Sequence, residues 1–122
     1  MIQKQTKLIV TDNSGVKIVK VIGFFKNKKK YYTIGDLVKV TVCKRHKNSI
    51  IKKGKILNAI IVRTIKKIKR LDGSYISFDD NACILLNNKK ELLATRIIGP
   101  IAREIKYIKI IKKKFFSSKK IF

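Results

Sequence analysis

The chain has 122 residues, 45% of them hydrophobic, which is enough for one domain with a buried core and excludes two. Lys and Arg total 31 against 7 acidic residues, a formal charge of +24. Self-repulsion on that scale calls for a polyanion, so nucleic acid is the expected partner and an anionic membrane surface the runner-up.

Thr6 to Thr11 (TKLIVT) is a short strand candidate, ended by the turn signal Asp12-Asn13-Ser14-Gly15. Val16 to Phe25 (VKIVKVIGFF) reads as a second strand, with Gly23 marking a bulge or bend. Lys26 to Lys30 (KNKKK) is a basic loop tip, and Gly35-Asp36 marks a turn before Leu37 to Cys43. There Val38, Val40 and Val42 share one face while Lys39 and Thr41 take the other, the alternation of a half-buried strand. Lys44 to Gly54 (KRHKNSIIKKG) is a long basic connection with no turn residue strong enough to fix its shape.

Two apolar runs follow, Ala59-Ile60-Ile61-Val62 and Ala82-Cys83-Ile84-Leu85-Leu86. Both are short, rich in β-branched residues and free of Gly and Pro, which favours buried strands. Between them lies a basic arm with Arg63, Lys66, Lys67, Lys69 and Arg70, and then Asp72-Gly73, a favoured two-residue hairpin turn. That turn sets Ile60 opposite Leu85, Val62 opposite Cys83, Lys66 opposite Asp79 and Lys67 opposite Phe78. Val38, Val40, Val42, Ile60, Val62 and Leu85 are then the expected barrel interior. The hairpin has an apolar base and a cationic arm, with the ribbon at about residues 63–78.

Asn87-Asn88 makes the next turn, and Thr95 to Ile98 is a short strand closed by Gly99-Pro100. Five or six short antiparallel strands joined by tight turns make a small barrel over residues 1–100. In residues 101–122 the period changes. Ile101, Ile105, Ile108, Ile111 and Phe115 follow helical spacing, opposite Lys106, Lys109, Lys112 and Lys113. A short helix docking on the barrel and a basic tail are expected there.

Catalysis has little support. Asp72, Asp79 and Asp80 read better as a turn residue and partners for neighbouring lysines than as an acid/base pair. Cys43 and His46 make half a zinc site, with only Cys83 left to help, so no metal or cofactor is expected. The cysteines lie in apolar stretches and suggest reduced thiols in an intracellular compartment. No apolar run approaches the roughly 20 residues of a spanning helix. The first ten residues, MIQKQTKLIV, lack the features of a signal or transit peptide, and none is expected. Abundant Lys, Ile, Asn, Phe and Tyr, with scarce Ala, Pro and Trp, point to A/T-rich codons in an organelle, plastid-type, or in a bacterium.

A charge run is usually only a solvated face, but here four separate loops are basic. They place Lys28, Lys29, Lys30, Lys44, Arg45, Lys52, Lys53, Lys55, Arg63, Lys66, Lys67, Lys69 and Arg70 as candidate RNA-binding residues. The residues show no aromatic pair at stacking spacing and no recognition helix. That favours a reader of folded backbone shape.

The segments MIQKQTKLIVTDNSG, IKKGKILNAIIVRT, RLDGSYISFDDNACILLNN and TRIIGPIARE resemble the bacterial-type large-subunit ribosomal protein family L-fourteen. The resemblance covers about residues 1–105. Leu71 and Lys55 stand where many relatives carry Pro and Asp, and Tyr107 to Phe122 departs from the family's usual tail. The resemblance implies a five-stranded barrel with a projecting β-ribbon and small C-terminal helices. It implies a non-enzymatic, structural role in translation, bound to large-subunit ribosomal RNA beside neighbouring large-subunit proteins. It also implies a place at the subunit interface, in an intersubunit bridge to small-subunit ribosomal RNA, and docking of a ribosome-silencing factor. Carried over residue by residue, Lys52, Lys53, Arg63, Lys66, Lys67, Arg70, Arg96 and Arg103 are RNA-facing. Two other readings compete, a free small-barrel RNA-binding factor and a cationic membrane-surface protein anchored by Ile101 to Phe115.

Overall fold

The computed structural model describes residues 2–24, 32–87, 89, 92–93, 99–100 and 102. The expected strand at Thr95 to Ile98 and the basic positions Lys28, Lys29, Lys30, Arg96 and Arg103 lie outside them. So does the expected C-terminal helix, apart from Ala102.

Seven strands follow one another: β1 (Lys7–Val10), β2 (Val16–Phe24), β3 (Leu37–Arg45), β4 (Ile56–Arg63), β5 (Ile68–Lys69), β6 (Tyr75–Ile76) and β7 (Ala82–Leu86). β1, β2, β3, β4 and β7 close into a barrel, while β5 and β6 form a separate two-stranded ribbon. The five-stranded barrel and ribbon are as expected from the sequence. One seam differs from a purely antiparallel barrel, because β1 and β7 pair in parallel. The reason is parity. Directions cannot alternate all the way around a closed ring with an odd number of strands, so one neighbouring pair must run the same way.

That seam is short and is completed by a side chain. Ile9 N–H donates to the Asn81 carbonyl at 3.0 Å and Thr11 N–H to the Cys83 carbonyl at 3.0 Å. β1 then ends, and the next β7 donor, Leu85 N–H, is met by Asp12 Oδ2 at 2.9 Å. The other oxygen, Oδ1, accepts from Ser14 N–H at 3.1 Å and from Ser14 Oγ at 2.5 Å. Asp12, read from sequence as a turn residue, thus also seals the barrel wall, and it is buried.

β1 and β3 alternate. Leu8 and Val10, and Val38, Val40 and Val42, are buried, while Lys7 and Lys39 are exposed. They fill the interior with Val19, Val21, Leu57, Ala59, Ile61, Cys83 and Leu85. β4 and β7 do not alternate: every residue after Ile56 is buried in both. Their second face, Ile60, Val62, Ala82, Ile84 and Leu86, packs against Ile34, Leu37 and Leu92. Burial on both faces is why these strands read as unbroken apolar runs.

Ile60 and Val62 therefore belong to this outer cluster, contrary to their expected place in the interior. The cause is register. Ala59 faces Leu85, Ile60 faces Ile84 and Ile61 faces Cys83, one residue from the pairing that a two-residue turn sets. A one-residue slip exchanges the faces of a strand. Gly23 does sit at a register break between β2 and β3, as expected.

Candidate nucleic-acid interface

Cations collect at both ends of β4, about 23 Å apart by the rise of its eight residues. At the first end is the connection from β3 to β4. It has no turn residue strong enough to fix its shape from sequence, yet it is tied down along its length. His46 N–H donates to the Gly15 carbonyl at 2.8 Å, and Ser49 N–H donates to the His46 carbonyl at 3.0 Å. Arg45 Nη1 reaches the Ser49 carbonyl at 3.3 Å, and Ser49 Oγ accepts from Ile51 N–H at 3.2 Å. Gly54 N–H donates to the Val42 carbonyl at 3.0 Å, and Val42 N–H to that of Lys55 at 3.1 Å. Ile51 packs on the interior cluster.

Gly15 permits this arrangement. A Cβ there would lie 2.9 Å from Ser49 Oγ, and its φ of 91° suits glycine. Lys44, Arg45, Lys47, Lys52, Lys53 and Lys55 are all exposed on this fastened loop. The available sequence signals were Gly54, which takes a φ of 85°, and the apolar anchor Ile51.

At the other end β4 passes through a register break between Ile61 and Arg63 and leaves the barrel. The expected continuous pairing from Thr64 to the turn is not present. Phe78 N–H donates to the Thr64 carbonyl at 2.9 Å, and Ile65 N–H donates to Asn81 Oδ1 at 3.0 Å. Neither placement sets Lys66 opposite Asp79 or Lys67 opposite Phe78. Regular pairing covers Ile68 with Ile76 and Lys69 with Tyr75.

The turn holds three residues, not two. Arg70 N–H donates to the Ser74 carbonyl at 2.8 Å and Gly73 N–H to the Arg70 carbonyl at 3.1 Å, enclosing Leu71, Asp72 and Gly73. Gly73 takes a φ of 87°, as the bulge residue of a three-residue hairpin loop requires. Asp72 Oδ1 accepts from Ser74 N–H at 2.9 Å and from Ser74 Oγ at 2.6 Å. Lys66, Lys67 and Lys69 are exposed, and Arg70 is half-buried.

Arg63 stands apart from the other candidate cations because it is buried. Its Nε lies 3.0 Å from Asp80 Oδ1, a charge contact without hydrogen-bond alignment. A Cβ on Gly99 would lie 2.6 Å from Arg63 Nη1, so the missing side chain of Gly99 makes room for the guanidinium. Its placement makes Arg63 a fastener between β4 and the start of β7. Beside it opens a cleft of about 550 Å³ between ribbon and barrel, lined by Arg63, Tyr75, Phe78, Asp79, Asp80 and Pro100 among others. The sequence reading assigned no function to Tyr75 or Phe78, since only the fold brings them to one wall.

Cys83 is fully buried, and desolvation pushes its thiol well above the ordinary range, with the nearby Asp12 carboxylate adding to the effect. It is a packing residue. Among the described residues no cluster of His, Cys, Asp or Glu is arranged to hold a metal ion.

A closed five-stranded barrel bearing a separate short ribbon, with exposed cations at both ends of β4, defines a small basic β-barrel protein. The chain belongs to the family described as ribosomal protein L14p/L23e, whose model matches residues 1–119. It is 58% identical over 106 residues to the large ribosomal subunit protein uL14 of Aquifex aeolicus, covering 87% of this chain and 88% of that one. It is also 58% identical to the Aquifex pyrophilus protein of the same name, over the same shares of the two chains. The Hydrogenobaculum protein of that name is 54% identical, again over 87% and 88% of the respective chains.

Proposed function

We propose that the chain is a structural constituent of the large ribosomal subunit, held there by ribosomal RNA contacts at both ends of its barrel. The observation that carries this is the disposition of charge. Of the five described acidic residues, Asp12, Asp36, Asp72 and Asp80 are committed to backbone donors or to Arg63. With 31 cations and 7 acids in the chain, most of the positive charge has to be balanced from outside. Phosphate supplies that charge, and the release of its counterions drives the association.

Lys44, Arg45, Lys52, Lys53 and Lys55 form one contact group, and Lys66, Lys67 and Lys69 with Arg70 the other. Lys28, Lys29, Lys30, Arg96 and Arg103 join them on the strength of the sequence alone. Arg63 acts in this scheme by fixing the root of the ribbon. The role is non-enzymatic, at the subunit interface, with small-subunit RNA, neighbouring proteins and a silencing factor as further partners. A ribosome of bacterial or plastid type with an A/T-rich genome suits the composition.

A salt titration of the chain's binding to large-subunit ribosomal RNA tests the two contact groups. Replacing Lys67 and Lys69 by Ala reduces the slope of log affinity against log salt by roughly 2 units, and so does replacing Lys52 and Lys53. Unchanged slopes in both folded double variants overturn the assignment. Association with large subunits that survives high salt separates a structural constituent from a free RNA-binding factor.

A further inference from the structure

The cleft beneath the ribbon differs in chemistry from the ribbon's exposed lysines, Lys66, Lys67 and Lys69. Its wall carries the carboxylates Asp79 and Asp80 with the rings of Tyr75 and Phe78. Asp80 is taken by Arg63. Asp79 is exposed and makes no ion pair or hydrogen bond among the described residues, despite the lysines of its own hairpin. Tyr75 is 62% exposed, so one ring is free to be covered. Phosphate is repelled by a carboxylate, so this wall is not a backbone contact. It suits a flat, neutral group carrying N–H donors.

We propose that the cleft takes one unstacked guanine base from the bound RNA, an inference that rests on the RNA-binding reading above. An unstacked base presents two faces for stacking and its Watson–Crick edge for hydrogen bonds. The guanine edge offers two adjacent donors, N1–H and the N2 amino group. A carboxylate accepts both with its two oxygens, a pairing that adenine, cytosine and uracil cannot match. Tyr75 supplies the stacking face, and about 550 Å³ exceeds the volume of a nucleobase with its sugar. Lys67 and Lys69, exposed on the same ribbon, hold the flanking phosphates. The chain thereby gains one position of base identity within a contact otherwise made to backbone.

The test uses the full chain and three RNA hairpins that differ at one site: a bulged guanosine, a bulged inosine, and no bulge. Inosine keeps N1–H and lacks the N2 amino group. The wild type is expected to favour guanosine over inosine by about tenfold, the worth of one arm of a bidentate contact. Asp79→Ala removes a negative charge, so by charge alone it tightens binding to every RNA. The proposal requires the opposite for one probe: the variant loses the guanosine preference while holding the unbulged hairpin at least as well as wild type. Tyr75→Ala weakens both bulged probes about tenfold and leaves the unbulged one unchanged. A wild type that binds all three equally overturns the base site and leaves the RNA reading intact. A guanosine preference that persists in Asp79→Ala also overturns it, as does Asp79-dependent capture of an Arg-rich peptide without any base preference. Salt-independent or absent binding to all three hairpins instead sinks the RNA reading itself. Circular dichroism and thermal melting establish that each variant is folded.

Discussion

β4 and β7, and the β5–β6 ribbon between them, are consecutive parts of one hairpin, yet they are held by different forces. Along β4 and β7 every residue after Ile56 is buried, and both faces meet apolar partners. In the ribbon, two residues per strand pair regularly, and Leu71 at its tip is fully exposed. The base takes its stability from area removed from water. The arm has little such area, with Ile76 its one buried strand residue, and relies on Asp72, the Thr64 carbonyl and Asn81 to fix its shape. A cationic arm that is locally held can present charge without weakening the core that carries it.

The sharpest way to break the comparison is to truncate one side chain in each part. Ile61→Ala empties interior volume where barrel strands converge and is expected to cost about 2–5 kcal/mol. Leu71→Ala, at a fully exposed tip, is expected to change stability by no more than about 0.5 kcal/mol. Thermal and urea unfolding read both. Equal losses would mean that the ribbon tip packs as the base does.

A smaller effect separates the barrel's antiparallel pairs from its parallel seam. Asp12→Ala leaves Leu85 N–H buried without its acceptor and frees the Ser14 turn. The expected loss is about 1–3 kcal/mol. Hydrogen exchange localises it, since the Leu85 amide should lose protection while the Val40 amide in β3 keeps its own beyond the global change. Uniform deprotection would instead show that the carboxylate is no local clasp.

These same elements show what a sequence can carry. Val38, Val40 and Val42 announced their face because Lys39 and Thr41 take the other. Ala59 to Val62 and Ala82 to Leu86 announced burial but not phase, since an unbroken apolar run looks alike from both sides. Turn length had to supply the phase, and Asp72-Gly73 suits a two-residue loop as well as the observed three-residue one. The resulting one-residue slip exchanged Ile60 and Val62 with Ile61. The burial of Arg63 was hidden for a related reason. It opens a basic run, and only the fold brings Asp80 and Gly99 to it. The exposure of the cations from Lys44 to Lys55 and from Lys66 to Lys69 was legible, because a run of like charge resists burial.

The two thiols sharpen the comparison at the level of dynamics. Cys43, half-buried near the end of β3, needs only local motion to meet a reagent, whereas Cys83, the second residue of β7, is fully buried in the barrel wall. Alkylation at neutral pH should modify Cys43 first. Cys83 should lag by a factor on the order of a thousand, since its exposure requires opening of the barrel wall. Equal rates would show that β7 opens independently of the barrel. The same burial gives a pH signature. The folded state raises the Cys83 pKa, so folding favours its protonated form. Below the ordinary thiol value of 9.0 both states hold the proton and pH has no effect through this group. Above it the unfolded chain releases a proton that the folded chain retains, and stability falls by about 1.4 kcal/mol per pH unit. Cys83→Ala, less stable at neutral pH because of its cavity, should lack that component. The measurement is the difference in urea midpoint between the two proteins from pH 8 to 10. It should narrow as pH rises, and a constant difference would mean that Cys83 ionises alike in both states.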